Sequence, residues 1–335
     1  MNKTKFIVIT TINKPTEAIS KFAQWKNWNV VVIGDRKSPA DWECEGVTYL
    51  NLEDQYSHSS LSSLAKAIPE NTYVRKMVGY AYAIQNGATA IFETDDDNIP
   101  YNDAESVVEE TLKLKNNSSN ETLSSDLGWL NIYQRFSDQR CWPRGFPVEF
   151  VRHPGVGGQI GKDCKPWKVT QFLADGDPDV DAIYRMLVPE NVYFARNRTY
   201  LLDEGTFCPF NSQATLWLPE AFPLLFLPVG VSDRVADILR GYIALACLWK
   251  INGTLAYSSP IVFQERNVHN LLNDFSDEVP LYLNADKWSH LLKNISGSSA
   301  SNYYRSALNL LCKANVLTEK CTDLYKHFLS VSGIE

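Results

Sequence analysis

The sequence predicts an α/β domain with a mixed, mostly parallel sheet flanked by helices, followed by a C-terminal helical extension. Short apolar runs alternate with helix-length segments from residue 5 onward, polar residues gather where those runs end, and helical periodicity returns near residue 230. The chain's 335 residues suffice for one large domain plus an appendage, which we place at 1–270 and 271–335.

The opening reads strand, helix, strand in "KFIVITTI", "PTEAISKFAQWKN" and "WNVVVIGD", the start of a parallel α/β sheet. "GVTYLNL" reads as a third strand, "RKMVGYAYAIQNG" as a helix stopped by Gly87, and "ATAIFETDDD" as a fourth strand ending in three aspartates. Residues 115–126, "KNNSSNETLSSD", read as an exposed loop, and the chain stays loop-rich to about residue 230. "SDRVADILRGYIALACLWKING" is a strong helix with Asp near its start and Gly253 at its end. Further helices follow in "NADKWSHLLKNI" and "YYRSALNLLCKANVLTEKCTDLYKHFLSVSG".

A net charge of -7 with no Lys/Arg run excludes a nucleic-acid binder, whose phosphate contacts need a clustered basic face. The 12% aromatic share is of the kind that sugar-handling clefts use. Seven cysteines without a C-x-x-C pair fit neither a disulfide framework nor a zinc site, so a reducing cytoplasm is expected. The chain enters a strand at once and has no 18-residue apolar run, so neither a secretory signal nor a transmembrane segment is expected.

Thr10, Thr11, Asp35 and Asp95 to Asp97 all fall at strand ends, where ligands of open α/β sheets bind. Three adjacent carboxylates are commonly a solvated loop or a helix cap. Here buried-strand residues "AIF" precede them and "NIPY" turns the chain just after, which leaves them little freedom to spread apart. A hard divalent ion, Mn²⁺ or Mg²⁺, offsets that repulsion and completes its shell with water and phosphate, which points to a nucleotide diphosphate. Asp95 and Asp97 thereby resemble the D-x-D pair of nucleotide-sugar glycosyltransferases with the Rossmann-like GT-A fold. From Val231 to Asn267 an acidic residue opens a helix that carries an Arg, and Gly, a short apolar strand, Pro and polar residues follow, an order similar to many such enzymes. Asp233 reads there as a general base or a helix N-cap, and Arg240 as a partner for a carboxylate or phosphate, or as a surface ion pair.

Six segments extend the likeness: "AISKFAQWKNWNVVVIGDRKSP", "YVRKMVGYAYAIQNGATAIFETDDDN", "QRCWPRGFPVE", "DGDPDVDAIYR", "PFNSQATLW" and "VADILRGYIALACLW". Together they resemble the STELLO family, formerly a domain of unknown function, which is similar at greater distance to the reversibly glycosylated polypeptides that act as UDP-arabinopyranose mutases. The resemblance implies a GT-A-like nucleotide-sugar site. Thr10 and Thr11 would lie beside the base and Asp35 on the uracil or ribose, or in a turn. Arg75 and Lys76 would balance the diphosphate or be helix-surface charges. Arg144 would face a phosphate beside Trp142, a residue we read mainly as packing. Asp179 or Asp181 is a second candidate base or sugar-hydroxyl acceptor, with helix capping as the alternative. Asn211, Ser212 and Gln213 would read the donor sugar, and His269 would join Asp95 and Asp97 on the metal or sit on the surface.

The implied function is metal-dependent transfer from a nucleotide sugar, UDP first among them, to a glycan acceptor, including a lipid-linked one, in surface polysaccharide synthesis. Inversion is expected because the candidate base stands apart from the metal ligands. The alternatives are a pyranose/furanose mutase and a non-catalytic scaffold. The expected place is the cytoplasm or the inner face of the membrane, with the C-terminal helices free to self-associate or dock on a membrane complex.

Overall fold

Strand β1 (Lys5–Thr10) sends Phe6 and Val8 into one apolar core and Ile7 and Ile9 into another on the opposite face. Strands β2 (Trp28–Ile33) and β4 (Ala90–Thr94) divide in the same way: Val31, Ile33 and Ile91 join the first core, and Val30, Val32, Ala90 and Phe92 the second. The unbroken apolar runs are therefore strands covered on both faces. The computed structural model describes residues 4–114, 120–161, 165–188, 190–265 and 270–334.

Strand β3 (Val47–Leu50) pairs parallel with β2, β2 with β1, and β1 with β4. Helix α1 (Glu17–Phe22) connects β1 to β2, and α2 (Leu52–Ser57), α3 (Ser62–Ala67) and α4 (Lys76–Gln85) lie between β3 and β4. A Cβ added at Gly79 would stand 2.5 Å from Val8 Cγ1, so glycine is what lets α4 approach the sheet. Gly87, at φ +77°, ends that helix as expected.

After β5 (Asn98–Pro100), α5 (Ala104–Lys113) and β6 (Glu121–Ser124), the stretch expected to be loop carries β7 (Gln159–Ile160), β8 (Trp167–Gly176), α6 (Ala182–Leu187), β9 (Thr199–Leu202) and β10 (Ala214–Trp217). β6 also corrects part of the loop expected at 115–126; residues 115–119 lie outside the described residues. Turn residues broke the sequence signal there, whereas pairing within the sheet supplies the order. β10 runs antiparallel between β4 and β8, and β11 (Thr254–Gln264) pairs parallel with β8, giving the order β3-β2-β1-β4-β10-β8-β11-β9-β6-β7 with β5 on β11. This is the α/β architecture, a mixed sheet flanked by helices, that the sequence predicts.

Helix α7 (Asp233–Lys250) is buried around nearly its whole circumference because it lies between the sheet and the C-terminal helices. It ends at Lys250, and Asn252, at φ +55°, is the left-handed residue just beyond it and before Gly253. The segment after 270 forms α8 (Leu271–Leu292), α9 (Ala300–Lys313) and α10 (Glu319–Ser332). Leu281, Leu308 and Phe328 of these helices belong to the same apolar core as Val8 and Ile91. No helix among the described residues is long and apolar enough to cross a membrane.

Candidate functional site

The carboxyl ends of β1, β2 and β4 border a cleft of about 540 Å³ whose lining includes Thr10, Thr11, Asp35, Lys37, Asp96 and Asp233. A parallel sheet puts these strand ends on one edge, so residues 85 positions apart in the chain meet there. The Thr11 hydroxyl donates to the Asp96 carboxylate, and Asn13 Nδ2 donates to the same oxygen at 3.0 Å. Thr16, the N-cap of α1, donates its hydroxyl to the Asp96 carbonyl at 2.6 Å and so ties the helix start to the acidic turn. Asp35 accepts from the Arg36 and Thr72 amides at 2.7 and 3.2 Å.

Asp233 reaches the same cleft from the start of α7. Its oxygens accept from the Thr72 hydroxyl at 2.6 Å and the Tyr73 amide at 3.2 Å. The N-cap of α7 is Ser232, so Asp233 caps a neighbouring segment rather than its own helix.

Beside the cleft, Lys76 is wholly buried and its ammonium donates to Asp95 Oδ1 at 2.7 Å, Thr94 O at 2.8 Å and the Tyr73 hydroxyl at 3.0 Å. A surface role for Lys76 is thereby corrected: burial with these acceptors makes it the fixed cation beneath the acidic turn. Burial, with the nearby Asp97 adding to it, holds the Asp95 carboxyl up to about 7 against the pull of Lys76. Asp97 accepts from Gln264 Nε2 at 3.2 Å and Asn98 Nδ2 at 3.3 Å. Among the described residues no three His, Cys, Asp or Glu side chains form a closed metal cage. Asp95 and Asp97, which flank the cleft-lining Asp96 in sequence, fit instead a hard ion that takes the rest of its shell from phosphate and water. His269, the third ligand expected from sequence, lies outside the described residues.

Other expected ligands are engaged elsewhere. Arg240 is fully buried and pairs with Glu93 at 2.7 Å, while Tyr80 and Trp217 also donate to that carboxylate. It can reach neither a phosphate nor the surface. Arg75 borders the cleft, yet its guanidinium donates to the carbonyls of Ala65 and Ile68 at 3.3 and 3.1 Å and to Gln55, which holds the end of α3. Arg144 is buried between Asp179, which it grips through two bonds of 2.8 Å, and Asp237, at 3.1 Å; Asn211 Nδ2 joins at Asp179, 2.7 Å away. Asp179, Arg144 and Asn211 thus bind one another. Asp181 is fully buried, caps α6 through Tyr184 N at 2.8 Å and accepts from Trp142 Nε1 at 2.6 Å, so capping and not proton transfer is its role. Burial pushes its carboxyl up to about 6.

Sequence reading missed Asn13, Lys37, Thr72, Asp237 and Gln264. Lys37 had a signal, as a cation two residues after Asp35 at the end of "VVVIGD". Of the other four, Asn13, Thr72 and Gln264 are polar residues that only the tertiary contacts bring beside the cleft and its acidic turn, and the same contacts bring Asp237 to the buried Arg144.

Fold and site together define an α/β protein with a polar, acidic cleft at the carboxyl edge of its sheet. Two proteins of Arabidopsis thaliana are similar to it in sequence. "Probable glycosyltransferase STELLO2" is 31% identical over 306 residues and "Probable glycosyltransferase STELLO1" 29% identical over 314, each match covering 84% of this chain and 38% of the plant protein. Over that 84% the chain is STELLO-like, as its motifs indicate, and it spans 38% of the length of those relatives. No protein-family model matches it. Among solved structures, glucosyl-3-phosphoglycerate synthase from Mycobacterium tuberculosis with phosphoglyceric acid aligns at a TM-score of 0.44 and 11% identity, covering 87% of this chain and 80% of that one. The same enzyme with Mn²⁺, UDP-glucose and phosphoglyceric acid aligns at 0.44 and 10%, covering 85% and 80%.

Proposed function

We propose that the chain is a metal-dependent glycosyltransferase that uses a UDP-sugar and transfers the sugar, with inversion, to a glycan acceptor in surface polysaccharide synthesis at the cytoplasmic face of a membrane. The observation that carries this reading is the meeting of Thr11, Asp35 and Asp96, from the ends of three parallel strands, around one cleft next to the Lys76–Asp95 pair. The similarity to two plant proteins named as probable glycosyltransferases supports it.

In this reading Thr10 and Thr11 flank the base and Asp35 faces the uracil or ribose. Asp95 and Asp97 would hold Mn²⁺ or Mg²⁺, which when bound neutralises charge on the departing diphosphate. Lys76 keeps Asp95 turned toward its buried ammonium, and the Thr11 and Asn13 donors fix Asp96. Asp233 is exposed on the cleft wall at the first residue of α7, and it takes the proton of the acceptor hydroxyl. Its separation from Asp95 and Asp97 is what supports inversion.

A thermal-shift screen of UDP, GDP and CMP with and without manganese tests the donor site. UDP is expected to raise the melting temperature, and more so with the metal. A flat response to all three nucleotides would remove the proposal.

A further inference from the structure

A second cavity, of about 730 Å³, opens between α8, the residues leading into α7 and the turn joining α9 to α10. One peptide bond divides it from the cleft: Ser232 lines this groove and Asp233 lines the cleft. The Ser232 hydroxyl donates to the Asp277 carbonyl at 3.0 Å, which fixes α8 against the start of α7 and keeps the two openings adjacent.

The groove has an aromatic floor and a polar rim. Trp288, only 5% exposed, lines it, and the indole N–H makes no hydrogen bond among the described residues. Asn284 donates to the Pro280 carbonyl at 2.9 Å through its nitrogen and keeps its oxygen for another partner. The side chains of Lys287 and Asn315, both exposed, make no hydrogen bond among the described residues. Asn315 is held at φ +56° in the turn, which fixes the start of its side chain. Amides that both donate and accept match hydroxyls, which do the same. The volume lies within the roughly 300–1,000 Å³ usual for ligand sites.

We propose that this groove binds the acceptor as a saccharide chain, with its terminal hydroxyl passing Ser232 to reach Asp233. The proposal rests on the glycosyltransferase reading. The hydroxyl oxygen forms the new bond to the donor's anomeric carbon as that carbon's bond to the diphosphate oxygen breaks, and the hydroxyl proton passes to Asp233.

Saturation-transfer NMR on the full chain, with a panel of short linear neutral and uronic-acid oligosaccharides, tests it, with UDP binding followed separately in manganese. At least one oligosaccharide should bind the parent protein, and about ten-fold more weakly the Asn284→Ala and Lys287→Gln variants, which corresponds to loss of one hydrogen bond to the ligand. Both variants should bind UDP as the parent does, and Asp96→Asn should bind UDP about ten-fold more weakly while keeping the saccharide. Failure of every oligosaccharide, or equal binding by parent and variants, overturns the groove. Saccharide binding without UDP binding overturns the donor cleft and leaves the groove a saccharide site.

Discussion

Two sets of carboxylates in this molecule are built from the same residue type and behave differently. Asp35, Asp96 and Asp233 line an open cleft and accept hydrogen bonds from hydroxyls, an amide side chain and backbone N–H groups. Glu93, Asp179 and Asp237 are buried, and guanidinium groups pair with them: Arg240 with Glu93, and Arg144 shared between Asp179 and Asp237. A neutral donor leaves a carboxylate's charge available to a ligand, whereas a buried arginine engages it. Binding chemistry therefore belongs to the cleft set and structural specification to the buried set.

The sharpest way to break that contrast is Arg240→Met, which leaves Glu93 charged in the core. It should cost about 3–5 kcal/mol in urea unfolding, and Glu93→Gln added to it should restore part of the loss. If the single variant unfolds like the parent, the buried set is not structural.

Asp181 gives a pH test of the same idea. Its folded-state pKa, about 6, stands above the ordinary value of 3.8, so between those pH values the folded chain keeps a proton that the unfolded chain has lost. Stability contributed at this site falls as pH rises through that window, by up to about 3 kcal/mol. Asp181→Asn cannot titrate, so whatever deficit it shows near pH 4 should shrink toward pH 6.5 in parallel denaturant titrations. A constant difference would contradict the assignment.

On the cleft side the effects should appear in binding. Asp96→Asn should weaken UDP by about ten-fold by calorimetry while costing about 1 kcal/mol of stability, since it disturbs only the Thr11 and Asn13 contacts. Lys37→Ala, at an exposed cation on the cleft wall, should weaken UDP by only about two- to five-fold, and less in high salt. Were Lys37→Ala to destabilise the fold more than Asp96→Asn does, the division between the two sets would lose its meaning.

Much of the first half was legible because buried parallel strands announce themselves as short apolar runs, and the residues at their ends follow from the topology. Thr10, Thr11, Asp35 and the aspartate turn were found that way. The stretch from 120 to 230 was not legible, because short strands interrupted by proline and glycine carry little periodic signal and gain their order from sheet partners far away in sequence. Arg75 and Arg144 read as ligand-facing cations, and Arg240 as a partner for a carboxylate or phosphate, for a related reason: an arginine's surroundings are not encoded in its neighbours along the chain.

The sequence by itself determined the parallel core, the acidic turn at the end of its fourth strand and the position of the long helix that begins at Asp233, since each depends on local pattern and strand-end geometry. Only the tertiary structure decided which charges stay available. Whether a carboxylate meets a hydroxyl or a buried guanidinium depends on which distant segments pack beside it, and desolvation makes that choice decisive.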